Sequence, residues 1–357
     1  MKITFIAPTL NFNGGLRVIA IYADYLSRFG HDVTVVSPGR PTPSFKQKIK
    51  SLITGKQWEG DKNFSDVYFK SLNITLLILE KFRPIEEKDI PDADIVIATW
   101  WETANWVNEF STEKGKKVYF MQDYGEVPGQ PLDKIQKTWM LPFHIITISQ
   151  WLMNLVSTHR KNDDQLTLVV NGVELSLFNA PIRDKQVCPT VGFLYTDAQQ
   201  KGAELMVKSF LKAKETLPEL RLVMFGSKDL PANLQGLPSV IYHQKIPDED
   251  VVNVYASCDV WLFGSEREGF GLPILEAMAC RTPVIATNAG AAADLVASNS
   301  GVLLTSRSVD EMVAEILTIV SLDNTAWKNL SEGAYQTAVL YEWETAARKF
   351  EAALLEL

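Results

Sequence analysis

Lys2-Ile3-Thr4-Phe5-Ile6-Ala7-Pro8-Thr9-Leu10-Asn11-Phe12-Asn13-Gly14-Gly15-Leu16 starts the chain with an apolar run, a polar turn and a glycine pair. The run over residues 2–7 is short and continuous, which predicts a buried strand. After Gly14-Gly15, the apolar positions Leu16, Ile19, Ala23 and Leu26 recur at helical spacing. Gly30 ends that helix, and His31-Asp32 lead into a second strand over 33–36. Strand, glycine loop, helix and strand make one βαβ unit.

The rhythm continues outward. Apolar runs at 94–99, 117–122 and 144–149 are each followed by a helical pattern. They are continuous rather than alternating, as in parallel strands covered on both faces. Residues 40–90 depart from the pattern. Pro41, Pro43 and Pro84 bracket a basic stretch at 45–56 and a mixed segment, which is expected to be an insertion. A second series starts after Asn179-Ala180-Pro181, with strands predicted at 190–194, 220–225, 239–243, 260–263, 283–287 and 301–304. Repeated βα units predict a doubly wound parallel sheet, here twice. Such sheets bind ligands beyond the carboxyl ends of their strands, so the expectation is two Rossmann-like domains facing a cleft. The boundaries drawn are 1–180 for an N-terminal domain, 181–338 for a C-terminal domain, and 339–357 for a terminal helix.

Composition narrows the function. The chain has 357 residues and a net charge of −8, with 22% charged and 46% hydrophobic residues. That is an ordinary globular balance, and its acidity argues against a nucleic-acid partner. Cys188, Cys258 and Cys280 lack metal-ligand spacing, which fits a reducing compartment. The opening run is too short for a signal peptide, and no run is long enough to span a bilayer. The expected location is the cytoplasm, with peripheral contact at the inner membrane face compatible with it.

The chemistry concentrates in Ser265-Glu266-Arg267-Glu268-Gly269-Phe270-Gly271-Leu272-Pro273-Ile274-Leu275-Glu276-Ala277-Met278-Ala279. This stretch follows a predicted strand and starts a helix, with Pro273 suited to the first turn. Exposed backbone N–H groups and the helix dipole there make an anion site suited to a diphosphate. Glu268 lies in the loop and Glu276 early in the helix, so both carboxylates can serve one pocket. A capped helix with a dipole-favoured Glu276 is the simpler account of that glutamate alone. The paired carboxylates beside the glycines favour a site.

This segment resembles the E-x7-E region of the retaining glycosyltransferases of family 4, which have the GT-B fold. Glu268 and Glu276 match its two glutamates. Further matches are Gly14-Gly15, Ser149 within Thr147–Leu152, Asn171-Gly172-Val173-Glu174, and Lys201-Gly202 after Val191-Gly192. The Trp343-Glu344 helix is similar to the family's last helix, which crosses back onto the first domain. The resemblance implies a hexosyl or deoxyhexosyl transferase that takes its sugar from a nucleoside-diphosphate donor and passes it to a saccharide or lipid-linked acceptor. It implies that Glu268 lies near the donor sugar and that Glu276 binds the ribose. Lys201 would neutralise the diphosphate, helped by Gly15 and the backbone of Phe270, Gly271 and Leu272. Arg267 is a second phosphate candidate. No cofactor and no metal are implied beyond the sugar-nucleotide substrate.

Two departures stand out. Many members have an arginine after the Val-Gly pair, where this chain has Phe193. Many also have a histidine at the end of a first-domain strand, where this chain has Gln122, with Asp123 beside it on the acceptor side. Glutamine is not a proton-abstracting base at ordinary pH. A front-face retaining mechanism, in which the leaving phosphate takes the acceptor's proton, does not require one. Trp100, Trp101 and Glu102 follow another first-domain strand, and their rings and carboxylate suit an acceptor sugar. The competing functions are a nucleotide-sugar epimerase of the same fold and a catalytically silent sugar- or partner-binding protein. A Rossmann dehydrogenase is disfavoured, because the first loop lacks G-x-G-x-x-G.

Overall fold

A computed structural model describes residues 1–10, 14–41, 68–125, 130–160 and 165–357. The basic stretch at 45–56 and Asn11-Phe12-Asn13 lie outside the described residues. The chain forms two compact units. One comprises residues 1–148, 152–169 and 347–357, and the other comprises 149–151 and 170–346.

In the first unit, seven strands form one sheet in the order β3-β2-β1-β4-β5-β6-β7. These are β1 (Lys2–Ile6), β2 (Asp32–Ser37), β3 (Thr75–Ile78), β4 (Ile95–Ala98), β5 (Lys116–Met121), β6 (His144–Thr147) and β7 (Leu166–Leu168). All their pairings are parallel. The order reverses between β1 and β4, which makes that pair the switch point of the sheet. Helix α1 (Gly14–Arg28) follows β1 and buries Leu16, Ile19, Ala23 and Leu26, the stripe its spacing predicts. Helices α2 (Trp101–Asn108), α3 (Leu132–Trp139) and α4 (Gln150–Ser157) follow β4, β5 and β6.

β3 falls inside the segment expected to be an insertion. It lies at the sheet's edge and leaves Leu77 38% and Ile78 41% exposed. With only one neighbouring strand and little burial, it has no continuous buried run to betray it.

The second unit has six parallel strands in the order β10-β9-β8-β11-β12-β13. They are β8 (Thr190–Tyr195), β9 (Arg221–Gly226), β10 (Val240–Gln244), β11 (Val260–Phe263), β12 (Val284–Ala286) and β13 (Gly301–Leu303). Here the switch point lies between β8 and β11. Helices α5 (Ala203–Thr216), α6 (Asp248–Ala256), α7 (Leu272–Ala279), α8 (Ala292–Leu295), α9 (Val309–Ser321) and α10 (Asn324–Ala338) accompany them. Phe193, Phe210, Met224, Leu262, Ile316 and Trp327 are among the fully buried residues of this unit's core.

The last helix, α11 (Trp343–Leu355), starts within the second unit, and from Ala347 onward the chain belongs to the first. Phe350 is fully buried there. It stacks on Tyr22 at 4.6 Å and meets Phe120 edge-on at 5.0 Å and Phe5 at 6.3 Å. Complete burial of such a ring stabilises by roughly 1.5–3 kcal/mol. His31 Nε2 and Glu351 Oε1 add a 2.8 Å contact to the same helix.

Candidate functional site

Each unit gathers its candidate residues at the carboxyl edge of its own sheet. In the second unit the two strands of the switch point supply the two loops. β8 leads to Lys201, and β11 leads to the segment from Gly264 to Gly271. Gly202 adopts φ 71° and caps α5. A Cβ there would come within 1.8 Å of the Gly264 carbonyl oxygen, so only glycine lets the loops approach this closely. The Glu266 amide donates to the Gln200 carbonyl at 2.7 Å and ties the loops together again.

The result is a contact between candidates far apart in sequence. Lys201 Nζ lies 2.5 Å from Glu268 Oε2, and Ser265 Oγ donates to Glu268 Oε1 at 3.0 Å. The Lys201 side chain is 38% exposed and that of Glu268 12%, so the cation borders solvent while the carboxylate is enclosed. Ser265 is itself held, because its carbonyl accepts from Thr287 Oγ1 at 2.5 Å. Behind the loop, the Ala291 amide donates to the Phe270 carbonyl at 2.8 Å. A Cβ on Gly290 would meet that carbonyl at 2.6 Å and Glu268 Cβ at 2.8 Å. The 268–270 turn is therefore pressed against the 289–291 turn by backbone shape.

Gly271 caps α7, and Pro273 occupies its first turn. Among the described residues, no acceptor receives the amides of Gly271 and Leu272. These N–H groups at a helix start are ready donors for an anion. Glu276 lies one turn further along, only 9% exposed, and its Oε2 accepts from Tyr255 Oη at 2.8 Å. Arg267 lies beside Glu266 at 3.7 Å on the surface. The Phe193 ring is in the hydrophobic core, so no cation takes the place of the family's arginine at that position. Arg307 Nε reaches the Gly264 carbonyl at 3.3 Å and brings a different guanidinium to the base of these loops.

In the first unit, Gly15 in α1, the Trp100–Glu102 turn and Gln122-Asp123 follow β1, β4 and β5, which are neighbours in the sheet. Thr99 Oγ1 donates to the Ile6 carbonyl at 2.9 Å across the switch point. The Thr103 hydroxyl accepts from the amides of Thr99 and Trp100, both at 2.9 Å, and fixes the turn that carries the tryptophans. Trp101 is 9% exposed, yet among the described residues its Nε1 has no hydrogen-bond partner. Burial lifts the Glu102 carboxyl above its ordinary range. Gln122 and Asp123 are half-buried just beyond β5.

Sequence reading missed Tyr255, Ser265, Thr287 and Gly290 as supports of the site. Ser265 precedes Glu268 by three residues, which was a local signal. The others come from separate elements and left none.

Two sheets, two switch points and a last helix shared between the units define the GT-B class. Residues 182–337 match the model of the family "Glycosyl transferases group 1". That match lies within the second unit and covers less than half of the chain. The chain is 25% identical over 210 residues to a sulfoquinovosyl transferase of Arabidopsis thaliana, covering 55% of this chain and 41% of that protein. It is 28% identical over 219 residues to a D-inositol 3-phosphate glycosyltransferase of Stackebrandtia nassauensis, covering 54% of this chain and 49% of the relative. The chain thus spans less than half the length of either. In fold it is similar along the whole of both chains to Anabaena HepE in complex with UDP and glucose, with a TM-score of 0.74 and 17% identity. No helix among the described residues is long and apolar enough to cross a membrane.

Proposed function

We propose that this protein transfers a hexose or deoxyhexose from a nucleoside-diphosphate sugar to a saccharide or lipid-linked acceptor, with retention at the anomeric carbon. The observation that carries the proposal is the Lys201–Glu268 pair beside the start of α7 at the second unit's switch point. A diphosphate fits the Gly271 and Leu272 amides, with the backbone of Phe270 and Gly15 as further contacts and Lys201 as a point charge. Arg267 is a second cation of use to the same phosphates. Glu268 then lies beside the donor sugar and orients it, and Glu276 receives the ribose hydroxyls. Trp100, Trp101, Glu102 and Asp123 serve the acceptor, and the Trp101 N–H, unpartnered among the described residues, is a donor suited to a sugar oxygen.

In this mechanism the acceptor hydroxyl attacks the anomeric carbon on the face from which the diphosphate leaves. The sugar–phosphate bond breaks, the new glycosidic bond forms, and a departing phosphate oxygen takes the hydroxyl proton. Lys201 and the helix-start amides stabilise the charge that grows on that phosphate. Gln122 orients the donor sugar and does not titrate. Charge neutralisation by these groups makes the reaction independent of a metal ion. A lipid-linked acceptor would bring the protein to the cytoplasmic membrane face.

The test is incubation with a panel of donor sugars and acceptors, with proton NMR of the product. UDP-sugars come first, because a UDP complex is what HepE shows. A product with the donor's anomeric configuration supports the mechanism, and an inverted product overturns it. Donor turnover without any acceptor would favour the epimerase.

A further inference from the structure

Tyr255 lies on α6, outside every motif considered so far, and it is fully buried. Its phenol Oη donates to Glu276 Oε2 at 2.8 Å, a contact between two buried groups. The ring has no room to turn. Trp261 lies against it at 4.4 Å, Phe225 at 5.7 Å and Phe178 at 6.1 Å, all steeply inclined. The backbone of the same residue is fixed as well, because the Tyr255 carbonyl accepts from Thr282 Oγ1 at 2.8 Å. Thr282 follows the carboxyl end of α7, while Glu276 lies within that helix. Tyr255 therefore holds α7 through its side chain at Glu276 and the turn just after α7 through its backbone at Thr282.

A carboxylate this buried needs hydrogen-bond donors, and where they lie decides which way its oxygens point. A phenol locked in an aromatic cage is a donor whose position does not drift. We propose that Tyr255 is a positioning residue that sets the orientation of Glu276 for a ribose diol. The proposal rests on the assignment of Glu276 to the ribose made above. Tyr255 itself touches no substrate. It fixes the oxygen Oε2 and with it the plane of the carboxylate.

The experiment uses the full chain and a pair of ligands. One is the ribonucleoside diphosphate that most raises the melting temperature, and the other is its 2′,3′-dideoxy counterpart. Calorimetric titration gives the ratio of their affinities. The wild type should prefer the ribonucleotide by about tenfold or more. Glu276→Gln should bring the ratio close to one. Tyr255→Phe keeps the ring in its cage and removes only the hydroxyl. It should lower the ratio severalfold while circular dichroism stays unchanged, and it should raise the donor KM with little effect on kcat. In a Glu276→Gln background, Tyr255→Phe should not change the ratio further, and this second variant separates positioning from general loosening of the helix.

The outcomes are distinguishable. If Glu276→Gln keeps the wild-type ratio, the ribose assignment falls and the role of Tyr255 falls with it. If Glu276→Gln abolishes the ratio but Tyr255→Phe retains it, the ribose assignment stands and Tyr255 is only a packing residue. An equal further drop in the double variant would likewise overturn positioning through Glu276.

Discussion

Lys201 and Glu268 are 67 residues apart in sequence and 2.5 Å apart in space. The contact depends on a glycine beside the lysine that admits the opposite loop. A cation held against a carboxylate is oriented before any ligand arrives, and a diphosphate then adds to an existing network. Replacing Lys201 by Ala removes the side-chain cation and leaves the enclosed Glu268 with the Ser265 hydroxyl but no paired charge. Turnover should fall by about 10²–10³-fold, as when one transition-state donor is lost. Steady-state kinetics on the folded variant measures this. Activity within a factor of two of wild type would remove Lys201 from the mechanism.

Gln122 gives a prediction about pH. If the leaving phosphate takes the proton, Gln122→Ala should slow transfer while both limbs of the kcat/KM profile stay in place. A displaced limb would reveal a general base coupled through this position.

Phosphate charge met by Lys201 and backbone amides should make turnover insensitive to chelation. Assays with and without excess chelator should agree. Abolition by chelator with recovery on adding a divalent cation would show that the phosphate site is incomplete as described.

Phe350 predicts a stability effect in one unit. Phe350→Ala opens a cavity among Phe5, Tyr22 and Phe120 and should cost about 3–5 kcal/mol. With two units the unfolding is not one transition, so scanning calorimetry is the suitable measurement. The transition assigned to the first unit should move down while the other keeps its position. An unmoved thermogram would contradict the burial.

Glu311 predicts an acid-side effect. Its carboxylate accepts from the hydroxyls and amides of Thr305 and Ser306 at 2.6–2.8 Å. The Ser306 hydroxyl, then the Thr305 amide and hydroxyl, hold its pKa near 2, against 4.5 for an unperturbed glutamate. The folded value is lowered, so the contribution is complete above pH 4.5 and disappears as pH falls towards 2. Exposure to solvent keeps the effect small. Melting temperatures of wild type and Glu311→Gln should converge across that window, and a constant gap between them would refute the assignment.

Much of this was legible in the sequence because burial leaves a record. Runs such as Ile3–Ile6 and Val260–Phe263 are covered on both faces, and their composition shows it. The loop from Ser265 to Gly271 was equally plain, since its conformation and its charges are written consecutively. β3 escaped notice because Leu77 and Ile78 face outward, where an edge strand keeps no pattern. β7, three residues long, offered too little to read. Tyr255 was invisible for another reason. An aromatic at helical spacing predicts a core position, and nothing in the sequence says which carboxylate its hydroxyl meets. Phe193 was noticed as a departure, but its place in the core came only from the fold.

The Phe350 ring has a consequence for synthesis. Phe5, Tyr22 and Phe120 leave the ribosome early, and the ring that fills the space between them is made only after the whole second unit. The first sheet must therefore wait with an aromatic slot open while the second unit folds. Closing that slot is a contact of very high sequence separation, the kind that is made late and slowly. During that interval the nascent chain exposes apolar surface that the finished protein hides, the kind of surface that makes incompletely folded chains prone to aggregate.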